Sequence, residues 1–116
     1  MEKLILSNMS LLDTENGVLK NNYQVLIEES KITSVQKGEI TASKCEKIDL
    51  GGRTLMPGLI DCHVHVHIGQ FNDNKTVLES EMTARSSKFL KEMLFRGFTA
   101  VRDAGGANYG HKMAIE

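Results

Sequence analysis

At 116 residues the chain fits one small domain or a portion of a larger one. With 41% apolar and 25% charged residues it has ordinary globular composition, which excludes a chain disordered by composition. The formal charge of −1, with no clustering of Lys and Arg, excludes the electrostatic footprint of a nucleic-acid binder or of a protein drawn to an acidic membrane surface.

Two cysteines, Cys45 and Cys62, make neither a disulfide framework nor a CxxC pair. They point to a reducing cytoplasm, with Cys62 expected as a small packing side chain in a strand. The opening MEKLILSNMSLL is interrupted by Ser7 and Asn8, so it lacks the apolar core of about 7–15 residues that a signal peptide needs. No run approaches the roughly 20 apolar residues of a membrane span. A soluble cytoplasmic protein without nucleic-acid or membrane partners is the expectation.

The first fifty-odd residues read as short strands. Leu4 to Leu6 and Met9 to Leu12 are apolar, and Asp13 to Gly17 (DTENG) is a turn signal. In YQVLIEE, Tyr23, Val25 and Ile27 alternate with Gln24 and Glu28, a half-buried strand pattern. Ser30-Lys31 is expected as a tight turn into a strand anchored by Ile32 and Val35, which ends at Lys37 to Glu39. Ile48 and Leu50 precede the Gly51-Gly52 pair. These runs predict a small antiparallel sheet with one buried face, which needs something to pack against.

The pattern changes at Arg53. The sole proline, Pro57, and Gly58 introduce a β-prone run from Leu59 to Ile68. After a polar loop, Gln70 to Lys75, a helix is predicted over Thr76 to Arg96, with Thr76 and Glu79 as a capping box. Leu78, Met82, Phe89, Leu90, Met93 and Leu94 supply its apolar face, and the six methionines of the chain read as core filler. Glu81 with Arg85 and Glu92 with Arg96 are i,i+4 pairs, and Gly97 is the expected terminator. Phe98 to Val101 is a short buried strand, and a second helix begins near Tyr109. Strand, helix, strand with a long crossover is a βαβ unit with parallel strands. An eight-fold βα barrel takes about 250 residues, about 30 per unit, so the segment from Pro57 onward amounts to about two units. On this arithmetic the chain is expected to be the N-terminal portion of a longer α/β protein.

Side chains two apart in a strand share a face, which places Asp61, His63, His65 and His67 together. Ile60, Cys62, Val64, Val66 and Ile68 then line the helix-covered side. Three in-register histidines are costly to bury in a core. Imidazoles about 7 Å apart along a strand can converge on one metal ion, for which neutral imidazole is a common ligand. A copper-binding HVHVH module is a rival reading, but it leaves the apolar strand and its βαβ context unexplained.

The run GGRTLMPGLIDCHVHVH resembles the signature of the amidohydrolase superfamily, in which PG-[LF]-ID-x-H-x-H opens the first barrel strand. GFTAVRDAGG resembles the second strand of the imidazolonepropionase-like branch, which includes zinc-dependent Xaa-Arg and Xaa-Pro dipeptidases or carboxypeptidases. The resemblance implies the start of a (β/α)8 barrel over residues 57–116. It implies part of a small composite β-sandwich over residues 1–56. By position, His63 and His65 match metal ligands, and Asp61 matches a supporting aspartate. The implied cofactor is one or two Zn2+ ions or other divalent metals. The implied substrate is a small amide, cyclic amide or dipeptide, cleaved at a C–N bond by metal-activated water. The family's remaining ligands and its proton-moving aspartate come from later strands, so the chain alone is expected to lack hydrolase activity.

Other residues divide between roles. His67 reads either as a histidine reaching the metal rim or, the preferred reading, as a loop histidine contacting substrate or solvent. Arg102 and Asp103 read either as substrate contacts or as a structural ion pair or loop brace. Gly105-Gly106 fits a substrate cradle or a tight turn, and His111 and Lys112 read as surface residues. The alternative is a non-catalytic fragment or decayed gene product that retains the barrel start. Homo-oligomerisation of the full-length protein stays open.

Overall fold

A computed structural model describes residues 3–67 and 78–115. It divides into two compact units, Met1–Pro57 and Gly58–Glu116.

The first unit is built from seven strands: β1 (Lys3–Ser7), β2 (Ser10–Asp13), β3 (Val18–Asn21), β4 (Tyr23–Glu28), β5 (Lys31–Lys37), β6 (Glu46–Asp49) and β7 (Thr54–Leu55). They form two sheets, ordered β5-β4-β1-β6 and β3-β2-β7, rather than the one antiparallel sheet expected. The hairpins β2/β3 and β4/β5 are antiparallel, but β6 joins β1 and β7 joins β2 in parallel. Parallel pairing requires a long return of the chain, which local turn signals do not encode.

Turn chemistry fixes the hairpins. Asp13 accepts bonds from the main-chain N–H of Glu15 (3.0 Å) and from the Asn16 side-chain amide (2.9 Å), and Gly17 closes the turn at φ 66. The Lys20 ammonium lies 2.6 Å from the same carboxylate. That ammonium and the Asn16 amide hold the Asp13 carboxyl far below the usual carboxylate range. The β4/β5 turn lies at Glu29-Ser30, one residue earlier than expected, with φ 51 and φ 64. Two successive left-handed residues give the twist that a two-residue hairpin needs. The core is Ile5, Met9, Val25 and Ile40. Ile32 and Val35, the expected anchors of β5, are instead exposed, Ile32 by 67%, because β5 is the edge strand of its sheet.

The second unit contains β8 (Leu59–Val64), α1 (Glu79–Phe95), β9 (Phe98–Asp103) and α2 (Tyr109–Ile115). β8 and β9 pair in parallel, as the crossover pattern requires. Val64, Val66 and Met93 are buried together, with Leu90, Phe98, Val101 and Ala107 packed around them. The buried seam of α1 runs through Met82, Ser86, Leu90 and Met93, whereas Leu78, Phe89 and Leu94 of the expected apolar face are exposed. Ser86 fits this tight seam because its hydroxyl is satisfied by the Thr83 carbonyl at 2.7 Å.

The N-cap position of α1 is Leu78, with no side-chain cap. The capping residue Thr76, the polar loop Gln70 to Lys75 and Ile68 lie outside the described residues. Glu81 meets Arg85 at 2.5 Å, as the i,i+4 spacing predicts. Arg96, by contrast, reaches the main-chain carbonyl of Glu92 (3.2 Å), while the Glu92 carboxylate lies 3.9 Å from Lys88. Gly97 follows the helix at φ 95, a conformation that favours glycine.

Candidate metal centre

β8 carries the motif to the end of the parallel pair. The strand stops at Val64, four residues short of the expected end at Ile68, so His65 and His67 lie just beyond it. The pairing also shifts. Asp61 faces Val101 and Val64 faces Asp103, which leaves one extra residue in β8 between them. Strict alternation therefore does not run from Asp61 through His67. Beyond the shift Val64 and Val66 are buried in the core, while His63 is exposed and His65 and His67 are half-buried. Ile60 (67% exposed) and Cys62, expected under the helix, are uncovered. The apolar cluster takes Val64 from β8 and Val66 just beyond it, and nothing from the first half of the strand.

The His63 and His65 rings lie edge to face, with centroids 5.2 Å apart. Asp61 Oδ1 accepts the main-chain N–H of His63 at 3.0 Å. His65 Nδ1 lies 2.8 Å from the carbonyl oxygen of Gly105. A carbonyl can only accept, so Nδ1 of a neutral His65 carries the proton and Nε2 keeps its lone pair. The pair thus fits a divalent cation as two nitrogen donors. Among the described residues no group of three His, Cys, Asp or Glu side chains is placed to hold a metal.

Asp103 sits at the end of β9 with its carboxylate committed to the main chain. Oδ2 accepts from Val66 N (2.8 Å), and Oδ1 from Gly105 N (2.8 Å) and Ala107 N (3.2 Å). Burial disfavours its ionised form, but these three N–H groups and the nearby His65 outweigh that and hold its carboxyl below the usual range. None of these contacts is to Arg102, which is exposed, so Asp103 acts as a loop brace and not as its ion-pair partner.

His67 and His111 meet in a way the sequence did not suggest. His67 Nδ1 lies 3.0 Å from His111 Nε2, with the rings at 79° and both residues half-buried. His111 Nδ1 in turn lies 3.1 Å from Asn108 Oδ1 and 3.3 Å from the main-chain nitrogen of Asn108, which holds the ring at the start of α2. His111 is therefore a tether between α2 and the segment after β8, not a free surface residue. No local pattern links positions 44 residues apart. Lys112, as expected, is exposed, with its ammonium 5.8 Å from the centroid of the Tyr109 ring.

A parallel β8-α1-β9 unit with His63 and His65 at the end of its first strand defines an α/β protein. The family model for the amidohydrolase family matches residues 54–115, and the chain belongs to that family. It is 35% identical to a dihydroorotase of Syntrophotalea carbinolica, over 85% of this chain and 21% of that protein. An imidazolonepropionase of Fusobacterium nucleatum is 28% identical, over 85% of this chain and 31% of that one. Among solved structures, a prolidase in complex with N-methylphosphonate-L-proline superposes at TM-score 0.89 with 39% identity, covering 97% of this chain and 28% of that one. An amidohydrolase superposes at TM-score 0.90 with 41% identity and the same coverage. The chain thus spans under a third of the length of each of these relatives.

Proposed function

We propose that this chain carries the first two metal ligands, His63 and His65, of a metal-dependent amidohydrolase that hydrolyses a C–N bond in a small amide, cyclic amide or dipeptide. The observation that carries this reading is the hydrogen bond from His65 Nδ1 to the Gly105 carbonyl, which leaves Nε2 of an imidazole beside His63 unprotonated. Metal-bound histidines characteristically donate their other ring N–H to such an acceptor. The relatives support it further. The prolidase at 39% identity was solved with a proline-based phosphonate, and the dihydroorotase and imidazolonepropionase belong with it among C–N hydrolases.

Zinc is the metal proposed, one ion or two. When bound, it supplies a water of lowered pKa and polarises the scissile carbonyl. The residues of this chain do the holding. His63 and His65 present nitrogen donors, and Asp61 fixes the main chain of His63 through its N–H. Gly105 sets the tautomer of His65. Residues 57–116 are proposed as the first two units of a (β/α)8 barrel and residues 1–56 as part of a small β-sandwich. Among the described residues no helix is long and apolar enough to cross a membrane, and the cytoplasm is the proposed location.

The test is zinc binding to the purified chain by competition with a chromophoric chelator. His63→Ala and His65→Ala each lower the affinity at least tenfold while the far-UV spectrum is retained. Equal zinc affinity in the parent and both variants refutes the assignment.

A further inference from the structure

We infer that Asp103 is the positioning residue that aims His65 at its metal, acting through the Gly105 loop rather than by touching the ion. The inference rests on the proposed role of His65 as a ligand. One carboxylate secures that histidine from two directions. Its Oδ2 accepts the N–H of Val66, the residue that follows His65 in the chain. Its Oδ1 accepts the N–H of Gly105, whose carbonyl takes the His65 ring proton 2.8 Å away. A third bond, from Ala107 N at 3.2 Å, closes the loop over the same oxygen, and Ala104 N donates to the Val64 carbonyl at 2.8 Å. The main chain beside His65 and the acceptor of its ring proton thus share one anchor. Movement of the Gly105 loop would remove the only hydrogen-bonding contact that fixes the ring among the described residues.

The chemistry of the acceptor makes the role specific to a carboxylate. Three main-chain donors converge on two oxygens, and a main-chain N–H cannot become an acceptor. An asparagine presents one oxygen and one NH2, so it must turn a donor toward Val66 or toward the Gly105–Ala107 pair. Asp103→Asn therefore preserves shape while breaking one side of the clamp.

The experiment has two readouts. The first is the His65 tautomer in the metal-free chain, read from long-range proton–nitrogen NMR correlations of the ring. The second is zinc affinity, with zinc sulfate as the probe. The parent chain is expected to hold His65 as the Nδ1–H tautomer. Asp103→Asn is expected to show a mixture of tautomers and a zinc affinity lower by about 10- to 100-fold, the range that loss of a ligand's hydrogen-bonding partner produces. An Nε2–H tautomer in the parent overturns the inference with no variant required, so the test survives an Asp103→Asn chain that does not fold. An unchanged tautomer and affinity in a folded Asp103→Asn also overturns it, while leaving the ligand assignment intact. Zinc binding unaffected by His65→Ala sinks the ligand assignment instead, and the two failures are thereby distinct.

Discussion

Replacing Gly58 by alanine should destabilise the second unit for a steric reason alone. A Cβ built on Gly58 lands 2.0 Å from Thr99 Oγ1, 2.2 Å from Thr99 Cγ2 and 2.6 Å from Thr99 Cβ. Carbon atoms in favourable contact sit about 3.5–4.0 Å apart, so the two carbon overlaps are about 0.9 Å and about 1.3 Å at the least, and the oxygen lies closer still. Thr99 cannot swing clear, because its own Cβ is one of the overlapping atoms and a β-branched side chain has little χ1 freedom. The backbone of Gly58 is not left-handed, in contrast to Gly51 (φ 61) and Gly52 (φ 77), where a Cβ meets open space. Alanine is thus conformationally acceptable at 58, and the cost is the separation of the starts of β8 and β9. Overpacking of this kind costs typically about 1–3 kcal/mol, and three overlaps on a stiff neighbour place this case near 3. Urea unfolding followed by far-UV circular dichroism measures it. Thr99→Gly alone should cost about 0.5–1 kcal/mol from backbone entropy. The double variant Gly58→Ala/Thr99→Gly should then be about 3 kcal/mol more stable than the sum of the two single effects. A Gly58→Ala chain within about 0.5 kcal/mol of the parent, or strictly additive effects, would refute the close approach.

Met93→Ala removes the centre of the Val64–Val66–Met93 cluster and should lower the stability of the second unit by about 2–5 kcal/mol, seen as a lower urea midpoint. The Asp103 clamp should respond to pH in one direction. Its folded carboxyl lies below the ordinary 3.8, so its stabilisation is complete above that value and is lost as pH falls through the folded pKa. Hydrogen-exchange protection of the Val66, Gly105 and Ala107 amides should fall together over that acidic range, and independent loss would contradict a shared anchor. Lys20→Ala should raise the titration midpoint of Asp13 toward the ordinary carboxylate value, followed by carboxyl carbon NMR, since the Lys20 ammonium is the largest cause of its depression. The isolated chain should show no hydrolase turnover with zinc present, because two imidazoles fall short of the three protein ligands usual at catalytic zinc. Zinc-dependent turnover abolished by a chelator would count against that reasoning.

Local chemistry was legible along the chain wherever neighbours in sequence are neighbours in space. The D-x-H-x-H spacing, the turn at Asp13 to Gly17, the Glu81–Arg85 pair and the terminator Gly97 each act over a few residues, and residue type alone announces them. Composition and periodicity likewise sufficed for a βαβ unit, since a strand-period run and a helix-period run in alternation leave few arrangements. What only the tertiary structure decided involves residues far apart or shifted by a bulge. The extra residue in β8 falls between Asp61 and Val64 and breaks the strict alternation of the motif, and no side-chain pattern records a bulge. β6 and β7 enter two sheets in parallel because of where the chain returns, not because of their own four and two residues. The tether from His67 to His111 and the Asp103 clamp join segments 44 and 37 residues apart. The sequence by itself determined which atoms could bind a metal. The fold determined which nitrogen of His65 is free to do so, because the acceptor that fixes its proton is a main-chain carbonyl that no residue identity reveals.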